Sequence, residues 1–87
     1  MSFKVKLVGT KKIELPDGEI IDVREPSCDE FLDFHEKIKE AEGDVKGQLA
    51  ASKALLEELG FPGEYLKRMS VAGMSELIEF IADQKKS

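Results

Sequence analysis

Apolar and polar residues alternate singly at the start of the chain and switch to a three-to-four-residue period near residue 28, which predicts strands followed by helices. Phe3, Val5 and Leu7 alternate with Lys4 and Lys6, the period of a strand with one face on a core and one in water. A break at Gly9-Thr10 leads to a second strand, from about Lys11 to Leu15, and a third runs from Glu19 to about Val23. Pro16-Asp17-Gly18 joins these two, because Pro fixes the turn and Gly supplies a positive φ. Leu15 and the Ile20, Ile21 and Val23 group are expected to meet Phe3, Val5 and Leu7 on the inner face. Whether Ile20 or Ile21 points inward depends on a bulge at Gly18, and the pattern leaves both registers open.

Arg24-Glu25-Pro26 ends the strand region. Ser27-Cys28-Asp29-Glu30 then has the Ser-x-x-Glu form of a capping box, so a helix is expected from here to about Glu42, with Phe31, Phe34, His35, Ile38 and Ala41 as its inner stripe. Gly43 stops it. The next helix lies between Asp44, a candidate cap, and Gly60, which can close the last turn in the left-handed conformation. Val45, Leu49, Ser52, Leu55, Leu56 and Leu59 fall on one face of it, and both neighbouring helices are expected to pack there. Gly47 in its first turn costs about 1 kcal/mol against Ala. A short helical turn around Glu64-Tyr65-Leu66 follows, and Ser70 caps a final helix from Val71 to about Gln84, with Val71, Met74, Leu77, Ile78 and Ile81 on its stripe and Phe80 beside it. The expected fold is α+β: a short antiparallel hairpin or three-strand sheet, then three main helices and one short one. It reads as a single domain over 1–87, with strands in 1–26, helices in 27–84 and a loose tail at 85–87.

Composition narrows what such a domain does. Thirteen basic residues against 18 acidic ones leave a net charge of -5, which disfavours a nucleic-acid partner because phosphate binding rests on Lys and Arg. One Cys makes no internal disulfide, no apolar run approaches a membrane span, and the N-terminus lacks the apolar core of a signal peptide. A cytoplasmic location is expected.

Residues with chemical potential are few. His35, the only histidine, has common surface carboxylates and Lys39 within helical reach, and a partly buried helix residue is the favoured reading over a general base. Cys28 at a helix start could form a thiolate, but without a His close in sequence or a second Cys it reads as a first-turn filler. One Cys and one His do not supply a zinc site. The carboxylates between Asp29 and Glu42 lack EF-hand spacing and alternate with lysines, so they read as a solvated face. Neither a phosphate-binding loop nor a G-x-S-x-G elbow occurs. No enzymatic activity, metal or cofactor is expected. Large apolar groups are more informative. A domain this small does not bury every one of them, and Phe61, Tyr65, Met69, Met74 and Phe80 are the contact candidates for a partner.

Taken in order, the opening strands with Leu15-Pro16-Asp17-Gly18, then Val23-Arg24-Glu25-Pro26-Ser27, Leu55-Leu56-Glu57-Glu58-Leu59-Gly60, Glu64-Tyr65-Leu66, Met69-Ser70-Val71-Ala72 and Leu77-Ile78-Glu79-Phe80-Ile81 make a pattern over nearly the whole chain. It resembles the small tail assembly chaperones of long-tailed bacteriophages and prophages. The resemblance implies a non-enzymatic protein of the host bacterial cytoplasm that coats the tape measure protein before tail tube subunits polymerise around it. It also implies a longer form made by ribosomal frameshifting near the end of the reading frame. Free monomers and homo-oligomeric rings are both compatible with the sequence. The alternative is a small cytoplasmic interaction module of an unrelated pathway, with a ubiquitin-like hairpin and helix at its start. A ubiquitin-like chain would return to strands after Gly43, whereas helices are expected here.

Overall fold

A computed structural model describes residues 2–82. Strands β1 (Thr10–Glu14) and β2 (Ile20–Arg24) are followed by helices α1 (Cys28–Glu40), α2 (Val45–Glu58), α3 (Gly63–Leu66) and α4 (Val71–Ile81). Among the described residues the fold is α+β, with a two-stranded antiparallel sheet leading four helices.

The hairpin turn is built as its residues dictate. Gly18 N–H donates to the Leu15 carbonyl at 2.8 Å and Leu15 N–H to the Glu19 carbonyl at 2.7 Å, while Gly18 sits at φ +93°. That is a turn with Pro16 at its second position and a bulged glycine after it. The Asp17 carboxylate accepts the Glu19 N–H at 2.9 Å and locks the corner. This bulge resolves the open register: Ile13 pairs with Ile21 and Lys11 with Val23, so Ile21 and Val23 face inward. Ile20, opposite Glu14, points outward and is 61% exposed.

The expected strand over Phe3 to Leu7 does not form, and its apolar residues lie on no inner face. Glu25 N–H still reaches the Gly9 carbonyl at 2.9 Å. Continued beyond that pair, the register would set Val8 opposite Pro26, which has no N–H, and Leu7 opposite Ser27, where α1 begins. The partner strand has turned into a helix before the N-terminal segment can use it.

The predicted capping box is present. Ser27 Oγ accepts the Glu30 N–H at 3.2 Å, and a Glu30 carboxylate oxygen accepts the Ser27 N–H at 2.9 Å. The same carboxylate takes both guanidinium nitrogens of Arg24, at 2.5 and 2.7 Å, and so ties the end of β2 to the start of α1. With Arg24 first and the Ser27 N–H second, these bonds hold the Glu30 carboxyl down at about 2.

Helix α2 is the centre on which α1, α3 and α4 pack. Leu55, Leu56 and Leu59 are buried together with Leu15, Val23, Phe61, Leu66, Met74 and Ile81. Gly60, at φ +105°, closes α2 in a Schellman arrangement, its own N–H on Glu57 and that of Phe61 on Leu56. The Arg24 N–H donates to the Leu59 carbonyl at 2.9 Å and joins β2 to this corner. Asp44 stands at the N-cap of α2 without making the expected side-chain hydrogen bond. Val45, expected on the inner stripe, is 66% exposed, because α2 begins before its neighbours cover it. Ser70 caps α4 through the Gly73 N–H at 2.9 Å, and the helix ends at Ile81. The expected extension to Gln84 and the tail at 85–87 lie outside the described residues. After α1, only helices follow among the described residues, so the ubiquitin-like continuation is not adopted.

Candidate binding groove

The turn of the hairpin and the start of α3 are held together by one polar contact. Tyr65 Oη donates to Asp17 Oδ2 at 3.1 Å, and that carboxylate raises the phenol's pKa above its ordinary value by holding its proton. The bond fixes the ring against the hairpin. Between these two walls lies a groove of about 490 Å³. Ile13, Leu15 and Pro16 form its hairpin side, Tyr65 and Met69 its α3 side, and Leu77 and Phe80 of α4 complete it. Phe61 is its floor.

Four of the five contact candidates from the sequence therefore come together: Phe61, Tyr65, Met69 and Phe80. They are not equally available. Phe61 is 6% exposed and belongs to the core, Tyr65 and Met69 are half-buried, and Phe80 is 53% exposed. Lys11 Nζ lies 5.7 Å from the centre of the Phe80 ring and 3.7 Å from Glu25, so the open end of the groove is edged by a cation already held by a carboxylate. Glu14, Arg68 and Glu76 supply the remaining charges around it.

Met74 is not part of this groove. It is 5% exposed and lies on another face of α4, in a smaller cleft of about 330 Å³ with Phe34, Leu49 and Ile78 between α1, α2 and α4. The helical stripe that named it as apolar was right, but a stripe does not say which of its members a neighbouring helix covers. Ile13 and Leu77 were not among the contact candidates. Each was legible only as one position of an alternating strand or a helical stripe.

Candidate chemistry is dispersed. Cys28 and His35 are both exposed, and seven residues along α1 separate them by about 10 Å. His35, expected to be partly buried, projects from α1 with its ring against the edge of Phe31, centroids 4.4 Å apart. The reason is that α1 packs only one side on α2 and has no fully buried residue. Among the carboxylates of α1, Glu30 is engaged by Arg24 and Asp33 by Lys37 at 3.0 Å. No cluster of three or more His, Cys, Asp or Glu groups placed to hold a metal occurs among the described residues. None of the described helices is long and apolar enough to cross a membrane.

No family model matches this chain, and neither a curated protein nor a solved structure shows significant similarity to it.

Proposed function

We propose that the groove between the hairpin, α3 and α4 is a docking surface for an apolar helical segment of another protein, and that the chain works as a tail assembly chaperone. In this reading it binds the tape measure protein in the bacterial cytoplasm and keeps it soluble until tail tube subunits polymerise around it. The observation that carries the docking surface is the convergence of Phe61, Tyr65, Met69 and Phe80 on one open groove. Its size admits a few large side chains rather than a whole helix, which suits anchors at i, i+3 and i+7 of an amphipathic partner. The resemblance of the residue pattern supplies the identity of that partner.

The physical requirements of the task are compatible with the chain. A holding protein needs exposed apolar groups that are few enough not to self-aggregate, and in the groove exposed Phe80 beside half-buried Tyr65 and Met69 meets this. It also needs an exterior that keeps the complex dissolved, and a net charge of -5 on 87 residues provides it. The test is capture from the bacterial host, with any prophage induced, using the tagged chain and its Phe80→Ser variant as baits. Recovery of a very long helical protein or a tail tube subunit by the parent and not by the variant is the expected result. Equal recovery by both baits would remove the groove from the reading, and recovery of neither protein would remove the chaperone assignment.

A further inference from the structure

The apolar residues Phe3, Val5 and Leu7 lie outside the core of the monomer. Phe3, Val5 and Leu7 are 90%, 70% and 86% exposed, and three large apolar side chains at alternate positions are costly to leave in water. Their own chain offers no strand to pair with, since β2 gives way to Pro26 and α1. The hairpin, in turn, has an open edge: among the described residues no strand lies along the far side of β1. Gly9 and Leu15 direct their backbone groups to Glu25 and Glu19. Alternate residues of a strand face opposite edges, so Thr10, Lys12 and Glu14 direct theirs to the open one.

We propose that the chain forms a two-fold dimer in which the arm of each copy, residues 3–8, pairs antiparallel with the open edge of the other copy's β1. Three requirements set the register. Backbone groups must face each other, which matches even-numbered arm residues to Thr10, Lys12 and Glu14. Phe3, Val5 and Leu7 must fall on the same face as Ile13 and Leu15, the face that lines the apolar groove. Opposite charges should meet. Pairing Lys4 with Glu14 meets the first two and brings one pair of opposite charges together, and it sets Phe3 opposite Leu15 and Val5 opposite Ile13, whereas pairing Lys6 with Glu14 would leave Phe3 beside Asp17 of the turn. The two-fold axis then passes between the Gly9 residues of the two copies. The like-charged pair, Lys6 with Lys12, is relieved by Asp22, which already holds Lys12 at 3.3 Å.

Charge favours a second copy as the occupant over an acidic partner. Four lysines and no acidic residue precede Ile13, whereas residues 13–82 carry seventeen acidic and seven basic groups. A basic arm thus leaves one acidic body and meets another. The exchange is reciprocal, closes on itself and covers an edge otherwise open to indiscriminate strand pairing. It stands on the arm and the hairpin, without the chaperone reading. Because the added strand covers the hairpin side of the groove, a client helix and the second copy would compete.

Sedimentation velocity on the full chain, up to about 1 mM, is expected to reveal a species of twice 9.7 kDa. Lys6→Pro removes an N–H from the pairing edge of an exposed segment, and is expected to leave a monomer with an unchanged helical circular dichroism spectrum. Lys4→Glu is expected to weaken the dimer about threefold to tenfold, and adding Glu14→Lys to recover most of that loss. A parent chain that stays monomeric throughout, a dimer indifferent to Lys6→Pro, or a charge swap that recovers nothing would each overturn the pairing.

Discussion

Glu30 carries two jobs in one carboxylate, and the structure lets them be separated. Its oxygens close the capping box of α1 through the Ser27 N–H and clamp both nitrogens of Arg24 at the end of β2. Glu30→Gln keeps a side chain able to cap but removes the charge, whereas Glu30→Ala removes both. The carboxyl is lowered from 4.5 to about 2 on folding, which in full would amount to about 3.4 kcal/mol. The Arg24 side chain is 40% exposed, so solvent screening reduces this to about 1.5 kcal/mol. Glu30→Gln is therefore expected to lower stability at pH 7 by about 1.5 kcal/mol, and Glu30→Ala by about 2.5 kcal/mol with the cap lost. The pH dependence has a definite sign. A carboxyl whose folded value is depressed stabilises fully above its unfolded value near 4.5, and that stabilisation disappears as pH falls through the folded value near 2. Urea unfolding followed by circular dichroism should thus show the gap between parent and Glu30→Gln shrinking by well over half between pH 7 and pH 3. A gap of the same size at both pH values would refute an ionic origin. Equal losses in the Gln and Ala variants would refute the separate capping contribution.

Two further substitutions probe the packing. Leu56 is fully buried at the centre of α2, so Leu56→Ala is expected to cost about 3 kcal/mol in urea unfolding, while Leu32→Ala, at a site 61% exposed, should change stability by less than about 0.5 kcal/mol. Gly47→Ala should gain about 1 kcal/mol on helix propensity alone. A Cβ there would come within 2.9 Å of both Ala41 Cβ and Asp44 Oδ2, so no gain in thermal midpoint is expected, and a clear rise would show that the α1–α2 corner yields easily.

These contrasts mark what the sequence could and could not convey. Features fixed by a few neighbouring residues were legible: the Pro16-Asp17-Gly18 turn, the Ser27 and Glu30 box, the Ser70 cap and the Gly60 terminus all formed as their chemistry requires. The N-terminal strand was not, because alternation in Phe3, Val5 and Leu7 reports compatibility with a strand and says nothing of whether a partner strand remains free. Asp44 illustrates a smaller limit, since a capping residue type needs the right approach of the chain to make its bond. The candidate groove was half legible. Helical periodicity found the apolar groups, but Met74 turned into the core and Phe80 out of it according to which flank of α4 its neighbours cover, a property of packing between helices.

Under the chaperone reading, isothermal titration of the purified chain with synthetic helical segments spanning a tape measure protein tests the docking surface most directly. Parent and Phe80→Ser should be compared, since Phe80 is exposed enough that its loss leaves the core intact. The expected result is saturable binding of one or more amphipathic segments, weakened about tenfold or more by Phe80→Ser, in keeping with an aromatic anchor. Binding of equal strength to both proteins would contradict the groove as the docking surface, and no binding by any segment would contradict the chaperone reading itself.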